Sequence, residues 1–201
     1  QMLEGFLLYP LMVDLRFQRW DEILKTPAPR AERKLLHAFW QFARAMALVG
    51  QGKQPDAVAE QKQFETLRTT IPAESLYLIN NKASDLLARA AATLEAQLAW
   101  TRGDRATSIQ EWRRAVELES TLQYDEPPPW FYPVRESLGA ALLRNGQAKE
   151  AEAVFRAAIE KRPRDGRLLF GLWQSLREQK RDNEGGLVEQ RGREHQQGVE
   201  P

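Results

Sequence analysis

Residues 133–164 run PVRESLGAALLRNGQAKEAEAVFRAAIEKRPR, and the spacing of small and apolar side chains in this stretch decides the fold. Leu138, Ala141 and Leu142 recur at three- and four-residue steps, which places them on one face of a helix. Asn145-Gly146 interrupts the pattern, and Ala151, Val154, Phe155, Ala158 and Ile159 resume it on a second helix. Gly139 and Ala151 are small, so the two antiparallel helices can approach closely. Phe155 and Ala158 then fall on the inner face of the second helix, and Pro163 ends it.

The same grammar extends to both sides. Leu36, Phe39, Trp40, Ala43, Ala47 and Leu48 form one apolar stripe, followed by a turn at Gly52 and a second helix with Ala57 as its small residue. Leu86, Leu87, Ala90, Leu94, Leu98 and Trp100 form another, closed by Gly103 in a left-handed conformation with Asp104 as the cap of the next helix. Ile109, Trp112, Val116 and Leu118 supply that helix's apolar face. Upstream, residues 17–24 look like the middle of a further unit cut short by Pro27 and Pro29, and Leu168 to Gln179 looks like a final first helix. The turns at Gly52, Gly103 and Gly146 are widely spaced because two stretches, 71–81 and 122–130, are inserted between helices.

The order Leu138-Gly139, Ala151-x3-Phe155 and terminal Pro163 resembles the tetratricopeptide repeat, a helical hairpin of about 34 residues. Taken whole, the chain is similar to bacterial tetratricopeptide-repeat proteins of unassigned activity, some of which carry a Tyr-Asp-Glu-Pro-Pro-Pro-Trp segment like residues 124–130. The expected fold is all-α: about nine helices in antiparallel hairpins, stacked into a tetratricopeptide-like right-handed superhelix. Residues 1–181 are expected to hold this degenerate array, about four hairpins plus a terminal helix, as the C-terminal portion of a longer one. Exposed apolar surface between Phe6 and Phe17 would mark the missing neighbour. Residues 182–201, rich in glycine, charge and amides, are expected to be a flexible polar tail.

Composition narrows the function classes. In 201 residues, 42% are apolar and 28% charged, enough for a core. Twenty-nine Lys and Arg against 28 Asp and Glu leave a net charge of +1, which argues against nucleic acid or an anionic membrane as a charge-driven partner. Without cysteine there is no disulfide, thiolate metal site or cysteine nucleophile, and His37 and His195 lie far apart. No apolar run is long enough to span a membrane. Phosphate-binding loops, nucleophile elbows and metalloprotease helices are absent from the sequence, so no cofactor, metal or catalytic residue is expected. Asp125 and Glu126 read as solvated loop carboxylates, one capping a helix that starts near Pro128, and His37 as a half-buried packing residue. Trp20, Trp112 and Trp173 fall at packing positions. Phe39 and Trp40 are adjacent, so one of them faces the core and the other a groove or an upstream neighbour.

Tetratricopeptide arrays bind extended or helical peptides along a concave face lined by first helices. The resemblance therefore implies a partner-binding groove formed by Phe42, Met46, Gln97, Trp100, Glu136, Ala140, Arg144, Gln174 and Arg177. Trp100 would serve as an anchor, and Arg144 and Arg177 as clamps for a carboxylate. The expected function is a non-enzymatic scaffold for a protein or peptide partner. Two alternatives stand beside it: a regulatory or substrate-recruiting part of a larger enzyme, and an array that self-associates into a homodimer. The insertion after Leu122 has two readings. Its prolines, Pro127 to Pro129, favour a rigid extended path. Either Trp130 and Tyr132 are buried as a seal, with Asp125 or Glu126 paired to Arg135, or Tyr124, Asp125, Glu126 and Trp130 form one wall of a ligand cleft.

Overall fold

Helix, tight turn, helix is the rule along the chain, and three of the turns rest on glycines in the left-handed region: Gly52 (φ 74°), Gly103 (φ 82°) and Gly146 (φ 76°). The computed structural model describes residues 2–126, 128–186 and 188. Among them the chain forms a short 3-10 helix, Met2–Leu8, and α1 (Tyr9–Arg16), α2 (Trp20–Lys25), α3 (Lys34–Gly50), α4 (Gln54–Thr69), α5 (Ala83–Thr101), α6 (Arg105–Ser120), α7 (Val134–Arg144), α8 (Ala148–Lys161) and α9 (Gly166–Glu178). The protein is all-α, as its periodicity implies. No helix among the described residues is long and apolar enough to cross a membrane.

One departure from helix was not foreseen. Within the first insertion, β1 (Leu76–Tyr77) and β2 (Asn81–Lys82) pair antiparallel, with Leu76 opposite Lys82 and Tyr77 opposite Asn81. Leu78 takes a φ of 53° to make the turn. Four strand residues around a tight turn carry too little periodicity to be read from the sequence.

The chain divides into two compact units, Gln1–Tyr132 and Pro133–Pro201. In the first, α3 packs along α4 and α5 along α6, while α3 also meets α5 and α2. Ala38, Ala45, Ala90 and Ala96 are fully buried, and such small side chains let these helices close together. Asp104 caps α6 as expected, its carboxylate accepting the Thr107 amide at 3.1 Å. Phe39 is the core member of its pair. Trp40 turns upstream instead, its Nε1 donating to the Thr26 carbonyl at 3.0 Å, with His37 edge-on to its ring. Trp20 is half-buried against Gly50, where a Cβ would stand 2.4 Å from the indole.

The second unit is organised around one ring. Phe155 of α8 lies between Gly139 of α7 and Gly171 of α9, and a Cβ on either glycine would come within 2.5 or 2.3 Å of it. The glycines are what allow three helices to share a single phenyl group as their contact. Asp165 caps α9 by accepting the amides of Arg167 (3.0 Å) and Leu168 (3.3 Å). Residues 182–186 are again helical, with Gly185 lying against Trp173, so the polar segment begins with structure where flexibility is expected. The remainder of that expected tail, residue 187 and residues 189–201, lies outside the described residues.

Candidate functional site

In the first unit the two insertions meet. Asp125 is 2% exposed and is no solvated carboxylate. Its Oδ2 accepts from Asn81 Nδ2 at 2.6 Å, and its Oδ1 accepts from Asn80 Nδ2 at 3.0 Å and from the Asn80 amide at 3.3 Å. The two asparagines also hold the backbone on either side. Asn80 Nδ2 donates to the Tyr124 carbonyl (2.8 Å), Asn81 Nδ2 donates to the Gln123 carbonyl (3.0 Å), and Asn81 Oδ1 accepts the Gln123 amide (2.8 Å). Further along, Tyr9 Oη donates to the Pro128 carbonyl at 3.0 Å. No helix starts near Pro128; α7 begins at Val134, with Pro133 immediately before it.

Trp130 is the side chain this clamped backbone delivers. It is 5% exposed and lies 6.2 Å from Phe39 and 6.0 Å from Phe42, centroid to centroid. The Arg89 guanidinium sits 4.4 Å over the indole and donates to Glu119 Oε1 at 2.8 Å. Tyr132 is half-buried beneath Arg16, 5.6 Å from its ring. Tyr77, wholly buried nearby, keeps its proton far above the ordinary phenol range because burial disfavours the phenolate, with Tyr9 and Asp125 adding to the effect.

This arrangement corrects three of the expected site residues: Phe42, Asp125 and Trp130. Phe42 is fully enclosed by Trp130, Phe39 and Phe64, so it offers no surface to a partner. Asp125 and Trp130 face inward rather than lining a cleft. Tyr124 is 76% exposed, and its hydroxyl donates to Glu126. Met46 and Gln97 are half-buried. Trp100 is half-buried too, with Arg105, the first residue of α6, 3.7 Å over its ring and donating to its carbonyl at 2.6 Å. The rings of Phe6 and Phe17, with Leu7 and Val13, are exposed on the first helices, where apolar surface is expected.

In the second unit, Glu136 is half-buried and lies 3.4 Å from Arg167. Arg144 is exposed and donates through Nε to the Ala140 carbonyl at 3.3 Å. The remaining two expected groove residues do come together. Gln174 and Arg177 of α9 line one open depression with Trp173, Glu178, Lys180 and Asp182. Trp173 falls at a packing position by its spacing, yet it is half-buried at this surface. Phe170 stacks on it at 5.4 Å and Arg177 lies 4.8 Å over its ring. Phe170 itself is 56% exposed. A three-residue step and a four-residue step put these side chains on one stripe of the helix, which is the signal the sequence carried.

Among the described residues, no group of three or more histidines and carboxylates is placed to hold a metal ion. No protein-family model matches the chain, and no curated protein or solved structure matches it either.

Proposed function

We propose that the chain is a non-enzymatic interaction scaffold, a tetratricopeptide-like right-handed superhelical array that binds a peptide or protein segment. The observation that carries this reading is the solvent-facing stripe of α9, where Trp173, Gln174 and Arg177 line an open depression and the exposed Phe170 stacks on the indole. Tryptophan and arginine dominate binding energy at interfaces because one offers a large rigid apolar face and the other a planar fork of donors. Here the arginine already lies over the indole, so a carboxylate it held would sit beside an apolar wall. The tetratricopeptide-like arrangement is supported by the packing within each unit, where one first helix lies on the next, α3 on α5 and α7 on α9.

Selection of displayed peptides on the intact chain tests the reading. Enriched peptides are expected to bind in calorimetry and to lose at least tenfold in affinity, about 1.4 kcal/mol, on Trp173→Ala. Peptides that bind the variant as tightly as the wild type would overturn it.

The exposed Phe6, Leu7, Val13 and Phe17 favour a second reading, self-association through the first helices. Light scattering across concentration separates the two: an unchanging monomer mass removes the second.

A further inference from the structure

Residues 123–126 and 128–130 are held in the first unit as a peptide ligand is held, and we infer that the surface beneath them is a recognition site for proline-rich, tryptophan-bearing segments supplied by a partner. This rests on the reading of the chain as an interaction scaffold. Three features separate the segment from an ordinary packed loop.

First, its main chain is bound by side chains from elsewhere. Tyr9, Asn80 and Asn81 donate to the carbonyls of Pro128, Tyr124 and Gln123, and Asn81 accepts the Gln123 amide. Backbone groups belong to every peptide, so this grip is available to any extended segment that follows the same path. Second, the segment's chemistry suits such a grip. Prolines at 127, 128 and 129 restrict the free chain and lower the entropy lost on docking, and a phenol donating to a proline carbonyl beside aromatic rings is how proline-rich segments are recognised. Third, specificity comes from two side chains five residues apart. Asp125 takes the Asn80 and Asn81 donors, and Trp130 fills the space between Phe39, Phe42 and Arg89. The occupant is thus a segment with a carboxylate five positions ahead of a tryptophan and prolines between them.

The fit is incomplete in one respect. Trp130 Nε1 is buried and finds no acceptor among the described residues, which costs the docked state a hydrogen bond that water would supply in the released one. In this proposal the resident segment acts as a plug that a better-matched segment displaces. Because it is tethered, its effective concentration is of the order of millimolar, and an outside segment competes only when the resident one is weakened or the partner is abundant.

A synthetic peptide of residues 122–133 is the probe, titrated by calorimetry into the full chain. Trp130→Ala and Asp125→Ala variants that keep the helical circular dichroism signal are expected to bind it at least tenfold more tightly than the wild-type chain. Replacing the peptide's own tryptophan by alanine is expected to remove at least tenfold of that affinity. Equal binding by wild type and a folded variant, or indifference to the peptide's tryptophan, overturns the proposal. The wild-type chain supplies an arm that no folding defect can remove. Excess peptide is expected to raise the hydrogen-exchange rate of the chain's own Gln123 amide severalfold, and an unchanged rate also overturns it. Binding at α9 is judged with Trp173→Ala instead, so failure of one reading is not mistaken for failure of the other.

Discussion

Asp125 accepts a 2.6 Å hydrogen bond from Nδ2 of Asn81, a residue 44 positions earlier, and the pair joins the two stretches that interrupt the helical pattern. Removing the carboxylate takes the closest acceptor from the buried Asn81 amide and one acceptor from the exposed Asn80, whose Nδ2 keeps the Tyr124 carbonyl. Asp125→Ala is expected to lower the unfolding free energy by about 2–3 kcal/mol, near the cost of losing a charge-assisted bond in a buried place. The neighbouring exposed Glu126→Ala should change it by less than about 0.5 kcal/mol. Urea unfolding of both variants is the check, and equal midpoints would contradict the account.

Gly139 and Gly171 both approach the Phe155 ring, so a methyl group on either meets it at less than contact distance. Alanine at each position gains helix propensity of about 1 kcal/mol but forces the ring or a helix to move, at about 1–3 kcal/mol. Both variants are expected to melt at lower temperature than the wild type. Gly166→Ala, at the start of the same α9 with nothing within 4 Å, should melt no lower. Scanning calorimetry of the three variants measures the contrast.

Glu152 makes the second unit sensitive to acid. Burial alone opposes its ionisation, but hydrogen bonds from Gln179 and Arg156 and the charge of Arg181 outweigh this and hold its carboxyl below the usual value of 4.5. A depressed folded value means that the ionised form stabilises the fold above the ordinary value. That contribution is lost as pH falls through the lower, folded one. The difference in melting temperature between wild type and Glu152→Gln is expected to be largest at neutral pH and to shrink below pH 4.5. A difference that stays constant down to pH 3 would contradict the assignment.

Much of the architecture was legible in the sequence because helical packing leaves a periodic trace. The Gly139 and Phe155 spacing, the turns at Gly52, Gly103 and Gly146, the left-handed conformation of Gly103 and the cap at Asp104 all follow from local rules, and the structure shows them. The site was only half legible. Trp130 is open to two readings, seal or cleft wall; its burial against Phe39 and Phe42 meets half of what the seal requires, while Tyr132 is only half-buried. The burial of Trp130 takes Phe42 out of the expected groove. The solvated reading of Asp125 fails because its partners lie in another insertion, and neither periodicity nor spacing links Asn80-Asn81 to it. Two adjacent amides in one insertion and a carboxylate in the other were the signal available. On α9, Gln174 and Arg177 were placed by position, whereas Trp173 was assigned inward when its face is shared with an arginine.

The central claim is that α9 presents a binding surface, and site-specific photo-crosslinking tests it most directly. A photoreactive phenylalanine analogue is placed at Gln174, within the depression, or at Glu150, exposed on α8, and each chain is irradiated with a peptide selected for binding. The account predicts a crosslinked product from position 174, abolished by Trp173→Ala, and none from position 150. Equal crosslinking at both positions, or none at 174 with a peptide of measured affinity, would contradict it.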